Sequence, residues 1–555
     1  MLFNAHSFIF LFLPITLLVY HLLSTRGSAN YAISSLIIAS LVFYGWWEPG
    51  YLVLILASVA INFGIASGLM SISNEKTVVR GALLFVGVGL NLGALGWFKY
   101  ANFLVDSSNV LLGSHIHLQK IILPLAISFF TFQQIAYLVD TYRTKTGERR
   151  FLNYALFVTF FPQLIAGPIV HHKEMLPQFA SQIGGIKLRN LLIGGTIFFL
   201  GLFKKVIIAD GVSPYSDTVF AMAANGDTLT LLESWTGALA YSIQLYFDFS
   251  GYSDMAIGLA RMFGVRLPLN FNSPYKAINI IEFWRRWHMT LSRFLRDYLY
   301  FPLGGNQLGP ARTYTNLMIV MLLGGLWHGA GWTFVLWGAL HGFYLLVNHG
   351  WRHFRLARTA GSNETAPGVF AKIRRSVIGL VGTSASHILT LTAVIVAWVL
   401  FRAESMDVAG RVLTGMAGLN GVALPEQWLY SHASLATTLQ TFGVRFEPLA
   451  YMGPLFTPLR DMAVLFSLQI QVDSVGTLTA LLSLFVPIFF ALFWPNTQQL
   501  MHRFEPAIGA VNNSNVISGV LAWRINIPFA ILTAALAAYA CFGSSVASQF
   551  LYFQF

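Results

Sequence analysis

The chain has 555 residues, of which 56% are hydrophobic and only 10% are charged. A typical soluble domain carries about 25% charged residues, so this composition excludes a soluble protein and predicts one large polytopic membrane domain. The net charge of +12 fits the excess of lysine and arginine in cytoplasmic loops of membrane proteins, and we expect no nucleic-acid partner. The single cysteine, Cys541, excludes a disulfide framework and a cysteine-based metal site.

Apolar runs recur along the whole chain. A membrane-spanning helix needs about 20 residues, and on this basis we predict an all-α fold with about 11–13 spans plus interfacial or re-entrant helices around a central tunnel. The first run lacks a basic region before it, so we do not expect a cleaved signal peptide. The runs are Phe8–Leu23, Tyr31–Trp47, Tyr51–Met70, Gly81–Phe98, Ile121–Val139, Tyr154–Val170, Leu191–Ala209, Leu229–Phe247, Thr315–Trp327, Thr333–Val347, Ile378–Phe401, Leu478–Trp494 and Val520–Phe542.

Polar segments divide the chain into blocks. We expect a core block over residues 1–350, a basic cytoplasmic linker over 351–375 and a C-terminal membrane block over 376–555 that contains a long loop, 402–461. The bias of lysine and arginine places Arg143–Arg150 and Trp351–Arg375 in the cytoplasm and Arg402–Asp461 on the opposite side. No internal repeat is evident.

The segment AGPIVHHKEM, Ala166–Met175, offers two adjacent histidines, His171 and His172, with Glu174 close behind. Such a group suggests metal binding. A zinc site needs three or four ligands, however, and further ligands at the expected spacing are missing from this segment. We therefore predict no metal site.

The segment YFDFSGYSDMAIG, Tyr246–Gly258, places Asp248 and Asp254 beside an apolar run. One interpretation is a polar lining for a substrate tunnel, or a partner for arginines elsewhere in the chain. The alternative is a loop at the end of a span, in which Asp254 caps the following helix. We favour the loop interpretation, in which neither aspartate takes a direct part in the chemistry.

The segment EFWRRWHMTLSRFLRDYLYFPLGGN, Glu282–Asn306, combines charged and apolar residues. As one amphipathic helix, it pairs Glu282 with the arginines one turn later and Arg293 with Asp297. His288 falls on the apolar stripe, which also includes Trp284. We expect this helix to lie in the membrane interface or to enter a protein-lined cavity.

The segment GGLWHGAGW, Gly324–Trp332, places His328 among four glycines within an apolar run. Glycine weakens a helix and allows close backbone approach. Ionisable groups at membrane depth are rare and usually functional, so His328 is a candidate catalytic base. The alternative is a histidine hydrogen-bonded between packed helices. His341, in GALHGF, is a third candidate histidine after His328 and His288.

Signatures of common soluble enzymes are missing from the sequence. It contains no G-x-S-x-G, G-x-x-x-x-G-K-[ST], H-E-x-x-H or C-x-x-C. A nucleotide-driven mechanism or a serine hydrolase therefore has no support from sequence motifs.

Taken together, FNSPYKAINIIEFWRRWHMTLSRFLRDYLYFPLGGN and MLLGGLWHGAGWTFVLWGALHG resemble the membrane-bound O-acyltransferase family. The elements FLFLP, FYGWW, FKYANF, LPLAISFFTFQ, LIAGP, YFDFSGYSDMAIG and VLFRAES resemble its bacterial alginate O-acetyltransferase branch. The similarity extends from about residue 1 to about residue 410. GPIVHHKEMLPQF resembles peptidoglycan and other polysaccharide O-acetylases equally well, which leaves the polymer open.

This resemblance implies transfer of an acyl group from a thioester to a hydroxyl, with His328 as base and His288 as a second polar catalytic group. It implies acetyl-CoA as donor, no tightly bound cofactor, a location in the bacterial inner membrane, and a relay to a periplasmic hydrolase-fold acetyltransferase that modifies a polysaccharide such as alginate. A polysaccharide or lipid-intermediate transporter is the alternative of another class. The candidate donor-binding or tunnel-lining residues are Arg285, Arg286, Arg293, Arg296, Trp284, Trp327, Asp248 and Asp254.

Overall fold

A computed structural model of the chain is helical almost throughout, which confirms the all-α prediction. The structure describes residues 1–181, 184–359, 369–426, 428–447, 451–454, 475–510, 519–543 and 548–551. Within these residues the strands are short. Ala423–Pro425 (β1) pairs in parallel with Arg445–Glu447 (β2), and Tyr451–Gly453 (β3) pairs antiparallel with Val475–Gly476 (β4).

The helices account for most of the described residues. Up to residue 203 they are α1 Leu13–Arg26, α2 Ala29–Gly45, α3 Tyr51–Ser71, α4 Thr77–Leu95, α5 Ala101–Leu112, α6 Ile127–Thr144, α7 Phe151–Thr159, α8 Phe161–Leu164, α9 His172–Ser181 and α10 Leu188–Phe203. Beyond it they are α11 Asp210–Asn225, α12 Leu231–Met262, α13 Ile280–Arg286, α14 Met289–Leu295, α15 Gly309–His328, α16 Trp332–Thr359, α17 Val369–Arg402, α18 Met406–Met416, α19 Trp428–Ser431, α20 Ala433–Thr441, α21 Thr477–Ser483, α22 Phe485–Leu492, α23 Thr497–Leu500 and α24 Ile527–Phe542.

Short segments of π-helix or 3-10 helix flank several of the α-helices. Segments of π-helix adjoin α1, α4, α10 and α14, and a 3-10 turn precedes α13 and follows α23. The π-helical segments are Phe8–Phe12, Gly96–Tyr100, Lys204–Ala209 and Arg296–Tyr300, and the 3-10 turns are Pro274–Lys276 and His502–Phe504.

Two compact units are formed. The first unit consists of Met1–Phe203, Phe249–Asn270 and Asn496–Phe555, and the second of Lys204–Asp248 and Phe271–Pro495. Each is therefore built from segments that are distant in the sequence.

Long apolar helices confirm a membrane protein that crosses the bilayer several times. Among the described residues, 5 helices are long and apolar enough to span a membrane, fewer than the predicted number. Part of the difference arises because predicted runs form shorter helices: Leu478–Trp494 divides into two, and Ile121–Val139 becomes helical only at Ile127. The five are Phe8–Arg26, Tyr51–Ser71, Thr77–Leu112, Leu188–Asn225 and Val381–Arg402.

Two predicted local structures are wrong. Tyr246–Gly258 is not a loop at the end of a span, because it lies inside α12. Glu282–Asn306 is not one continuous helix, because the chain breaks between α13 and α14, where His288 adopts a left-handed φ of 42°. The predicted segments Trp351–Arg375 and Arg402–Asp461 both fall partly outside the described residues.

Helices α15 and α16 form a tight hairpin in the second unit. Gly325 of α15 and Gly338 of α16 lie where a Cβ atom would overlap the backbone of the facing helix, at Phe334 and Met321 respectively. Small residues allow membrane helices to approach this closely. The hairpin therefore fixes the position of His328, the last residue of α15.

Candidate active site

His328 lies at the end of α15 in an aromatic pocket of the second unit. The helix ends there because the next residue, Gly329, is extended, with φ −155° and ψ 148°. The side chain of His328 is buried. Its ring centroid lies 5.1 Å from that of Trp337 and 5.2 Å from that of Phe401, in edge-on contacts. His328 is thus buried at a helix break, and its role as catalytic base stays a prediction.

His288 lies at the break between α13 and α14 and is completely buried. The break turns its imidazole towards aromatic neighbours: the ring centroid lies 6.3 Å from that of Phe271 and 6.0 Å from that of Trp327. The sequence predicted an apolar environment for His288, and this is confirmed, although the continuous helix on which that prediction was based is not formed.

The two predicted histidines meet in the same pocket. The ring centroids of His288 and His328 are 6.3 Å apart. Trp327 contacts both rings, at 6.0 Å from His288 and 5.0 Å from His328. Two imidazoles at this separation, shielded from water by aromatic side chains, form a site in which one ring can accept a proton while the other donates a hydrogen bond.

His341 belongs to the same aromatic cluster. Its side chain is fully buried, and Trp337 lies between it and His328, with its ring centroid 4.9 Å from His341 and 5.1 Å from His328. Both ring nitrogens of His341 are buried with no hydrogen-bond partner within the described residues, and the same holds for the indole nitrogen of Trp284, whose ring lies 5.0 Å away. Buried polar groups without partners in the protein are typical of a site that receives a ligand.

Three other residues of this cluster were not predicted from the sequence. Trp337 is almost fully buried, and Trp398 and Phe401 of α17 complete the enclosure. Trp337 lies one helical turn before His341, a spacing that could have identified it. Nothing in the sequence links α17 to α15, because that contact depends on the tertiary fold.

The arginines of α13, of α14 and of the π-helical segment after α14 differ in their surroundings. Arg286 forms an ion pair with Glu282, as predicted, and Arg296 pairs with the adjacent Asp297 at 2.7 Å. Arg285 is exposed and Arg293 is half-buried. Charge therefore remains on this part of the second unit, since two carboxylates accompany four arginines in the sequence.

Asp248 and Asp254 are buried within α12 and have partners on other elements. Lys205 bridges Asp248 and Asp210 with 2.7 Å contacts to each carboxylate. Asp254 belongs to the first unit, where it accepts a 2.6 Å hydrogen bond from the Thr497 hydroxyl. These contacts explain how a carboxylate is accommodated in an apolar helix, because a buried charge requires a paired or hydrogen-bonded partner.

Comparison with known proteins identifies the family. The model of the membrane-bound O-acyltransferase family matches residues 145–386, which contain His288, His328 and His341. A peptidoglycan O-acetyltransferase of Helicobacter pylori is 44% identical and aligns with 76% of this chain and 81% of its own length. A probable alginate O-acetylase AlgI of Azotobacter vinelandii is 42% identical (75% of this chain, 78% of its own) and one of Pseudomonas putida 41% (83% and 88%).

These relatives share more than 40% of their aligned residues with this chain and cover about three quarters of it or more. This level of identity over so much of the chain shows common descent, which confirms the resemblance inferred from the histidine motifs. The chain therefore belongs to the membrane-bound O-acyltransferase family and is an acyltransferase.

Proposed function

We propose that this acyltransferase moves an acetyl group from acetyl-CoA in the cytoplasm across the inner membrane for O-acetylation of a polysaccharide. The single observation that supports the proposal most is the shared, buried pocket of His288 and His328. The names of the relatives, which refer to peptidoglycan and to alginate, support a polymer acceptor. An exopolysaccharide such as alginate is our first candidate and peptidoglycan the second.

In the proposed reaction His328 acts as a general base. The acceptor hydroxyl oxygen bonds to the carbonyl carbon of the thioester while Nδ1 or Nε2 of His328 accepts the hydroxyl proton. The carbon–sulfur bond then breaks, and the departing thiolate takes that proton from His328, so that an acetyl ester and a free thiol are formed. General-base assistance of this kind accelerates a reaction by about 10²–10⁴-fold.

His288 and His341 serve in this proposal as polar groups that orient the reactants. His288 lies close enough to His328 to hydrogen-bond a small group placed between the two rings. His341 and Trp284 carry buried polar nitrogens in the adjoining part of the cluster. Donors held in place by aromatic packing stabilise negative charge on the thioester oxygen without reorganisation during the reaction.

The arginines are the candidate contacts for the phosphates of the donor. Guanidinium groups bind phosphate through paired, charge-assisted hydrogen bonds. Arg285 is exposed and accessible to such a ligand, whereas Arg286 is held by Glu282. We infer that this charged surface faces the cytoplasm, where coenzyme A is found.

The acceptor and partner in this proposal lie beyond the membrane. We infer that the acetyl group passes to a periplasmic hydrolase-fold transferase, which carries its own serine nucleophile and modifies the polymer. The motivation is that the chain lacks the G-x-S-x-G signature of a serine esterase.

Replacement of His328 tests the catalytic assignment. We expect His328→Ala to abolish ester-linked acetate on the purified polymer while the protein still accumulates in the membrane. His353→Ala is the matched control, because His353 is an exposed histidine of α16. Normal acetylation by His328→Ala at normal abundance would refute the role of this residue as base.

Donor turnover distinguishes the enzyme from a transporter. With purified protein, labelled acetyl-CoA and a periplasmic acceptor, Arg285→Ala with Arg286→Ala should raise the donor KM more than it lowers kcat. Each charge-assisted hydrogen bond contributes about 1.5–3 kcal/mol, or roughly tenfold or more in affinity. His328→Ala should lower kcat instead, because its role is in the transition state. Export of polymer that depends on His328, without consumption of acetyl-CoA, would favour the transporter.

A further inference from the structure

Three side chains of types that can ligate a metal ion meet in the first unit. Asp140 lies in the last turn of α6, and His171 and His172 lie at the start of α9. Nε2 of His171 is 2.9 Å from Oδ2 of Asp140, and Nδ1 of His172 is 3.9 Å from the same oxygen. One ligand atom from each residue lies within 4.8 Å of the other two. The third ligand that the sequence around His171 lacks is thus supplied from another helix.

His172 provides an independent indication that this group receives a ligand. The side chain is 9% exposed, and its Nδ1 has no hydrogen-bond partner within the described residues. The edge of Tyr137 holds the ring in place, with ring centroids 5.2 Å apart. A buried ring nitrogen without a partner among these residues is a position at which a bound ligand would satisfy the side chain.

The distances suit a tetrahedral ion. Zinc binds histidine nitrogen at about 2.0–2.1 Å and carboxylate oxygen at about 2.0–2.2 Å, which places two ligand atoms about 3.4 Å apart. The two measured distances to Asp140 lie on either side of this value. The His171 side chain is 20% exposed, so an ion can enter from that side and complete its coordination with water.

Lys173 is the competing cation. Its ammonium group lies 3.5 Å from Oδ2 of Asp140, but the side chain is 58% exposed and can turn towards solvent. The backbone amide of Lys173 donates a long 3.3 Å hydrogen bond to Nδ1 of His171. When a metal binds Nε2, the ring proton moves to Nδ1 and this weak contact is lost. Neither contact blocks the ion.

We propose that Asp140, His171 and His172 bind a divalent transition metal, with Zn²⁺ as the best match, and that the ion joins the end of α6 to the start of α9. Two imidazoles and one carboxylate form a ligand set that zinc uses in proteins. This inference goes beyond the proposed acyl transfer and does not depend on it, because neither His288 nor His328 takes part. It replaces the sequence-based prediction that the chain has no metal site.

Zinc binding to the purified, untagged full-length chain tests the proposal. After treatment with a chelator, the protein is titrated with Zn²⁺, and bound metal per chain is measured by elemental analysis. We expect about one tightly bound ion in the wild type and at least tenfold weaker binding in Asp140→Asn, since loss of a ligand removes a coordinate bond. The matched control is His115→Gln with His117→Gln, which removes two exposed histidines and should leave binding unchanged.

Two further measurements keep the test decisive. Lys173→Met removes the competing ammonium and should tighten zinc binding several-fold. If Lys173 and Asp140 form only a structural ion pair, the chain binds no zinc, and the substitution has no binding to change. Zn²⁺ should also raise the melting temperature of the wild type and of the control, but not that of His172→Gln. A wild-type chain that binds no more zinc than Asp140→Asn or His172→Gln would overturn the proposal.

Discussion

At the scale of the residue, His288 combines a candidate catalytic side chain with a backbone conformation that few residues adopt. Its φ is 42° and its ψ is 53°. Among residues with a side chain, asparagine, aspartate and histidine tolerate this left-handed region best, and β-branched residues tolerate it least. The break between α13 and α14 therefore depends on the residue type at this position.

We predict that His288→Asn accumulates in the membrane at the wild-type level but transfers acetyl groups slowly. His288→Val should accumulate poorly, because a left-handed residue costs about 1–2 kcal/mol and a β-branched side chain increases the strain. Membrane abundance, melting temperature in detergent and acetyl transfer are the measurements. Equal melting temperatures for the two variants would show that the backbone at position 288 is not the constraint.

His341 is the second residue for which stability and activity should separate. A buried polar group without a partner costs about 1–3 kcal/mol, so His341→Leu should preserve or raise the melting temperature. The same change should lower the rate of acetyl transfer, because the pocket loses the two imidazole nitrogens of His341. His341→Gln retains polar atoms and should restore part of the activity. A fully active His341→Leu would remove His341 from the site.

The two histidines could be identified from the sequence, whereas their enclosure could not. A histidine among glycines in an apolar run, such as His328, is unusual enough to be selected on its own. Trp337 and Phe401, by contrast, are aromatic residues in apolar helices, and such residues pack in many places without a function. Phe401 is distinguished only by the tertiary contacts of α17 with α15 and α16, whereas the helical spacing from His341 also marks Trp337.

At the scale of the element, the α15–α16 hairpin depends on glycine. A Cβ atom at Gly325 would overlap the carbonyl oxygen of Phe334, whereas at Gly331 it would make only ordinary contacts, at 3.5 Å from Phe334 and 3.9 Å from Thr333. Forced overpacking of this kind typically costs about 1–3 kcal/mol. The separation between the helices, and with it the position of His328, therefore depends on Gly325.

We predict that Gly325→Ala lowers both the melting temperature and the rate of acetyl transfer, because it pushes α16 away and displaces the ring of His328. Gly331→Ala is the matched control in the same motif and should leave both quantities close to those of the wild type. Detergent-purified variants, compared by thermal unfolding and by donor turnover, provide the measurement. Similar behaviour of the two variants would contradict the proposed role of close helix packing.

The break in the Glu282–Asn306 segment shows a limit of predicting helices from local sequence. The charge spacing favours one helix, and the Glu282–Arg286 pair does form within α13. The helix nevertheless ends at Arg286, because His288 turns into the aromatic cluster around Trp327. Burial of the His288 ring outweighs the small helical preference of the two residues between α13 and α14. Local sequence does not show which of these two effects is larger.

At the scale of the whole molecule, composition predicts the membrane and the helical class, but not the number of spans. Polar residues within helices are the reason. Asp248 lowers the apolarity of α12, which is not among the five candidate spans, and yet it forms a buried ionic pair with Lys205. The apolarity of a segment is a local property, whereas the free-energy cost of a buried charge depends on a partner far away in the chain.

The orientation of the C-terminal block can be derived from one helix. The apolar segment Val381–Arg402 of α17 is 22 residues long, enough to cross the bilayer once. Lys372, Arg374 and Arg375 precede this segment. Basic residues next to a span remain in the cytoplasm, so the chain before Val381 should be cytoplasmic and the chain after Arg402 should lie on the opposite side.

Reporter fusions test this orientation. We predict cytoplasmic signals at Gly147 and Gly361 and a periplasmic signal at Gly421, because a single span separates the last two positions. Fusions of alkaline phosphatase and of a cytoplasmically fluorescent protein at each glycine provide complementary readouts. Replacement of Lys372, Arg374 and Arg375 by glutamine should weaken the difference, since these charges set the bias. A cytoplasmic signal at Gly421 in the unmodified chain would reverse the placement of everything beyond α17, and with it the side on which the acetyl group is delivered.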